Sequence, residues 1–212
     1  MQVDPDNSVT LYNLGITLNL LGEVERAIES FRHALRQKPH IAVLHFQLGI
    51  ALEKVERTEE AEYCFKSAIA LEPNHSQALN NLGIIQKKSR RLEEARSSFI
   101  RCLECDQGSY KAASNLCNTL RELGRLNEAE AYGRQAIVLR PDFADAHSNL
   151  GNTLKQLGKF EEAKKSYEQA IALKPNLAEV HRNLTLIKRY DSRDEQYLKM
   201  KELYLDKNIM PQ

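Results

Sequence analysis

The chain has 212 residues, with 30 lysines and arginines against 29 aspartates and glutamates and a formal net charge of +1. That balance argues against nucleic acid or an acidic membrane surface as the partner, since both reward a strongly basic face. The apolar runs are too short to cross a bilayer, and the opening MQVDPDNSVT lacks the basic-then-apolar order of a secretory leader. Four scattered cysteines suit a reducing compartment, the cytoplasm, better than a disulfide framework.

Along the chain, one period organises the sequence. Pro5, Pro39, Pro73, Pro141 and Pro175 recur in step, as do Ala27, Ala61, Ala95, Ala129 and Ala163. The step is 34 residues, which points to a repeat array and not to separate cores. Pro5 is in register, so residues 1–7 read as the tail of a preceding unit in a longer array. Five units are expected at 8–41, 42–75, 76–109, 110–143 and 144–177. In the second, Leu44, Leu48 and Leu52 form one helical stripe, and Ala61, Phe65, Ala68 and Ile69 form another. Two amphipathic helices per unit follow, each too short to be stable alone in water, so stacking must hold them.

Other columns keep the same step. Gly15, Gly49, Gly83 and Gly151 fall mid-helix, where glycine costs about 1 kcal/mol against alanine. Such a cost is tolerated where a side chain would hold two helices apart. Phe31, Phe65, Phe99 and Tyr167 are expected to fill the space between units. Gly22, Gly124 and Gly158 mark turns that require a left-handed residue, and the prolines end each second helix. Acid pairs such as Glu59–Glu60, Glu93–Glu94 and Glu161–Glu162 open second helices, where they complement the helix dipole. The fourth unit departs from the pattern: Cys117 replaces the helix glycine, Gly133 the aromatic, and Gln107-Gly108 the proline turn. The joint near 105–110 is therefore expected to be the weakest. Residues 178–212 read as a partial sixth unit and a closing helix, with Ser192 and Glu195 as a capping box.

Leu-Gly, then a small residue, an aromatic, alanine and proline, in that order, resemble the tetratricopeptide repeat, and residues 146–176 come close to a consensus unit. The resemblance covers residues 8 to about 190. It implies an all-α fold, a right-handed superhelical solenoid of paired antiparallel helices whose first helices line a concave groove. It also implies a protein-interaction scaffold, because such arrays carry function in surfaces grafted on a common frame.

No catalytic constellation is present: no glycine-rich phosphate loop, no G-x-S-x-G and no H-E-x-x-H. No enzymatic activity and no cofactor are therefore expected. Cys102 and Cys105 form a C-x-x-C without enough further ligands for a metal site, so packing and surface thiols are expected. His45, His147 and His181 share one column with Leu11, Leu79 and Ala113, which marks a packing position.

The candidate site is a row of amides: Asn13, Gln47, Asn81, Asn115, Asn149 and Asn183. An amide carries a donor and an acceptor and can hold a peptide backbone with little regard to its side chains. The row resembles the asparagine ladder in the repeat domain of O-linked N-acetylglucosamine transferase, with glutamine at one of six places. Two readings stand side by side: contact with a partner, or bridges between neighbouring helices. Around the row, Tyr12, Phe46, Ile16 and Ile50 make the first two units apolar. Asn118 and Asn152 make later units polar, and Lys87, Arg121, Lys155 and Arg189 add positive charge. The expected partner is an extended protein segment with an apolar anchor and acidic groups further on. The cation pairs of a chaperone-binding carboxylate clamp are missing, so a chaperone tail is not expected. Two alternatives remain open: an amino-terminal arm of a larger sulfotransferase or glycosyltransferase, and an array that self-associates through its ends.

Overall fold

The computed structural model of the protein describes residues 7–189. Within them the chain forms helices α1 (Ser8–Leu20), α2 (Val24–Gln37), α3 (Ala42–Lys54), α4 (Thr58–Leu71), α5 (Ser76–Lys88), α6 (Leu92–Cys105), α7 (Tyr110–Glu122), α8 (Leu126–Leu139), α9 (Ala144–Gln156), α10 (Phe160–Leu173) and α11 (Ala178–Arg189). Each helix packs on the next in sequence, which yields a stack of antiparallel pairs. The expected closing helix beyond residue 189 lies outside the described residues.

Local chemistry explains each turn. In every turn between the two helices of a pair, a residue in left-handed conformation ends the first helix. Gly22 (φ 83°), Gly124 (φ 77°) and Gly158 (φ 74°) do so as expected. Glu56 (φ 59°) and Arg90 (φ 62°) occupy the same place without the freedom of glycine. The following amide then bonds back across the helix end, as in Arg57 N–H to the Leu52 carbonyl at 3.0 Å and Arg125 N–H to Leu120 at 2.9 Å. This satisfies carbonyls that the helix leaves open. At the turns between pairs, His45, His147 and His181 place Nε2 2.9, 2.9 and 2.8 Å from the carbonyls of Pro39, Pro141 and Pro175. Where the column holds histidine, it thus ties the proline turn to the helix after it.

The core rests on one glycine–aromatic exchange. A Cβ added at Gly15, Gly49, Gly83 or Gly151 would sit 2.5, 2.7, 2.6 or 2.6 Å from the ring of Phe31, Phe65, Phe99 or Tyr167. All four rings are fully buried, and so is the alanine column. Truncating one such ring, as in Phe65→Ala, removes about 3–5 kcal/mol. In the fourth pair the roles are exchanged: Gly133 stands on α8, and a Cβ there would lie 3.0 Å from Cys117 Sγ on α7 and 3.2 Å from Leu150 Cδ1. The buried apolar core runs unbroken from Leu11 to Ala146, across the joint near 105–110. A second cluster starts at Leu150, and Ile137 packs against both. The division falls beside Gly133, where the aromatic is missing. On the outer side, Arg91 with Glu62 (2.5 Å) and Lys159 with Glu130 (2.7 Å) clamp successive second helices together.

Candidate partner-binding groove

The residues expected to meet a partner lie on the odd-numbered helices. These helices also touch each other, α1 with α3, α5 with α7 and α7 with α9, so they crowd along one side of the stack. A pocket of about 550 Å³ opens on that side between α3 and α5 and reaches α7. Phe46, Gln47 and Ile50 form one wall, Asn80 and Asn81 the other, and Tyr110 and Lys111 close the far end.

The amide row divides into two groups. Asn115 Nδ2 donates to Asn80 Oδ1 at 3.1 Å, and Asn149 Nδ2 donates to Ser114 Oγ at 2.9 Å. In both cases the amide reaches back to the residue just before the amide of the preceding pair. Asn183 is buried at 5% exposure; it donates to Asn152 Oδ1 at 3.0 Å and accepts from Lys155 Nζ at 3.0 Å. These three amides bridge helices. Facing Gln47 and Asn81, however, the corresponding residues are Tyr12 and Phe46: the phenylalanine ring has no acceptor, and the Tyr12 hydroxyl, the one acceptor of its side chain, makes no bond to Gln47. Among the described residues the Gln47 side chain has no hydrogen bond, and Asn81 uses only its Oδ1, which accepts from Asn80 at 3.3 Å. Asn13 is exposed, and its side chain too has no hydrogen bond among the described residues.

The apolar candidates are less open than their position suggests. Phe46 is 6% exposed and packs on Phe65 at 5.9 Å and His75 at 4.6 Å, so it braces the pocket wall. Tyr12 leans on Phe31 at 6.3 Å, and Ile16 and Ile50 are half-buried. Ser76, Gln77, Tyr110 and Lys111 also line the pocket, and sequence reasoning passed over them. For Tyr110 and Lys111 the signal was the irregular Gln107-Gly108 turn. There Asp106 Oδ1 accepts from Gly108 N–H at 3.0 Å, and Tyr110 N–H donates to the Gly108 carbonyl at 2.8 Å, which starts α7 at the pocket rim.

The basic row is also uneven. Lys87 lies 3.4 Å from Glu122. Arg121 donates to Asn118 Oδ1 at 2.7 Å. Burial, with the Arg121 guanidinium close by, holds the Lys155 ammonium below the usual lysine range, and Glu179 opposes the shift only in part. Asn152 Oδ1 accepts from the Tyr167 hydroxyl at 2.7 Å. The side chain of Arg189 is outside the described residues. Burial pushes the Cys64 and Cys117 thiols up to about 11, so both stay protonated at neutral pH. Among the described residues no group of three histidines, cysteines or carboxylates could hold a metal ion, and no helix is long and apolar enough to cross a membrane.

Family comparison agrees with this architecture. Tetratricopeptide repeat models match residues 9–41, 42–75, 64–97 and 144–177, and a TPR repeat model matches 118–158. The chain belongs to the tetratricopeptide repeat family, and its fold is a TPR superhelix. Among solved structures it is similar to YrrB, described as a TPR protein with an unusual peptide-binding site (22% identity, TM-score 0.71, covering 88% of this chain and 94% of that one). It is also similar to MamA from Desulfovibrio magneticus RS-1 (18% identity, TM-score 0.72, 84% and 99%). A third similar structure is the APC/C hetero-tetramer Cut9-Hcn1 (16% identity, TM-score 0.77), where it covers 98% of this chain but 42% of the other. At these identities the likeness shows the fold. No curated protein compared with the sequence matches it.

Proposed function

We propose that the protein is a non-enzymatic interaction scaffold that holds an extended partner segment in the groove, with its main hold at the pocket between α3 and α5. The observation that carries this reading is the pair of unmatched amide donors, on Gln47 and Asn81, facing a pocket with Ile50 and Tyr110 beside them. An unmatched donor on a half-buried side chain gains when a peptide carbonyl arrives, about 0.5–1.5 kcal/mol for each bond. The apolar surface of Ile50 and Tyr110 supplies the remainder through burial. Three buried cysteines, Cys64, Cys102 and Cys117, each without a disulfide, support a reducing, cytoplasmic setting.

Selection of random dodecapeptides by display on the full chain tests the proposal. Selected peptides should lose about tenfold in affinity on Gln47→Ala with Asn81→Ala, the loss of two such bonds. They should keep their affinity on Asn115→Ala with Asn149→Ala. Equal binding to both double variants and to the native chain would remove the pocket from the account.

A further inference from the structure

Arg121 and Lys155 stand one repeat apart on α7 and α9, two helices that pack directly together. Their counterpart on α5, Lys87, is matched by Glu122. Among the described residues Arg121 and Lys155 have no carboxylate at ion-pair distance. Their partners are neutral amide oxygens, those of Asn118 and Asn183. Arg121 Nε is closed off from solvent and finds no acceptor. Arg182 on α11 adds positive charge near Lys155, and Glu179 is the acid acting against it. Like charges gathered on a partly desolvated face repel each other. The same arrangement becomes favourable once an anion enters, because charge-assisted hydrogen bonds are the strong ones.

We infer that Arg121 and Lys155 form a subsite for an anionic side chain, carboxylate or phosphate, of the segment held in the groove. This rests on the reading of the pocket given above. The spacing follows from geometry. Adjacent packed helices lie 8–10 Å apart, so two steps from α5 to α9 span roughly 20 Å. An extended chain covers that distance in about six residues. The anion therefore falls about six residues from the side chain seated between Gln47 and Asn81.

The test uses one display-selected dodecapeptide, synthesised with glutamate, phosphoserine or glutamine at that position. On the native chain either anionic peptide, or both, should bind about fivefold or more tightly than the glutamine form, and the tighter of the two identifies the anion. On Arg121→Gln with Lys155→Gln the preference should shrink below about twofold. Lys155 also holds Asn183, so the single Arg121→Gln variant is measured beside the double one, with helicity checked for each. Equal binding of all three peptides to the native chain, or the same preference in both variants, overturns the subsite. A peptide that depends on Gln47 and Asn81 but shows no anion preference overturns the subsite alone. A peptide that depends on neither pair removes the pocket reading as well.

Discussion

The two ends of the groove solve the same problem in different ways. Around α3 and α5 the amides of Gln47 and Asn81 keep donors free, whereas from α7 onward Asn115, Asn149 and Asn183 lock neighbouring helices together. The amides barely differ between the two regions. Their neighbours do: Tyr12 and Phe46 put bulky aromatic rings where Asn80 and Ser114 put short polar side chains that accept the amide. A polar residue repeated in a solenoid is therefore structural or available according to the residue it meets one unit earlier, and one column cannot be assigned a single role. Strain follows the same division. The left-handed turns that end α3 and α5 are held by Glu56 and Arg90, while those that end α1, α7 and α9 are held by Gly22, Gly124 and Gly158.

This contrast can be broken experimentally, and the largest effect should come from the locked amides. Asn115→Ala with Asn149→Ala should lower stability by about 2 kcal/mol, near 1 kcal/mol for each bridging bond, and thermal melting would show a midpoint several degrees lower. The matching pair, Gln47→Ala with Asn81→Ala, should lower the midpoint by no more than about two degrees, since the bond lost, from Asn80 to Asn81 at 3.3 Å, joins neighbours on one helix and bridges nothing. A drop equal to that of the locked pair would erase the distinction between the regions. A smaller effect of opposite sign is expected at the strained turn. Glu56→Gly should raise stability by about 1 kcal/mol, because a left-handed residue with a side chain costs about that much. Chemical denaturation would detect the gain, and no gain would mean that the turn is not strained.

The smallest effect concerns the outer clamps, which serve both regions alike. The hydrogen bond from Arg91 holds the Glu62 carboxyl at about 2 although burial opposes it, with Lys66 adding to the hold; Lys159 and Arg134 lower Glu130 in the same way. Since the folded-state value of Glu62 lies below its ordinary 4.5, its contribution is complete above that pH and fades as the pH falls toward 2. Glu62→Gln should therefore cost under about 1 kcal/mol at pH 7 and nothing further at pH 2, as expected for a half-buried pair at the surface whose charges solvent still screens. Urea denaturation at several pH values would show whether the difference narrows in that window.

Much of the frame was legible because packing leaves a regular mark. Glycine opposite an aromatic ring requires contact closer than a Cβ allows, and both columns recur with the period. That Gly15, Gly49, Gly83 and Gly151 meet Phe31, Phe65, Phe99 and Tyr167 inside one helix pair, where the rings were expected to fill the space between units, was decided by the tertiary structure. Glycine at 22, 124 and 158 announced left-handed turns. Glu56 and Arg90 gave no such sign, because the backbone there is imposed by the pairs on either side. Phe46 looked like an open anchor and proved to brace the wall, since exposure depends on Phe65 and His75 from elements later in the chain. The expected weak joint near 105–110 carries a continuous core, and the division of the core lies beside Gly133.

The period, the helix pairs and the family were determined by the sequence alone, because each depends on contacts that repeat at fixed spacing. Which amides remain free, which cations lack a counter-ion and where the pocket opens were decided by the tertiary structure. Those properties are set by pairs of residues on different helices, and a donor's fate rests on whether an acceptor stands across the gap.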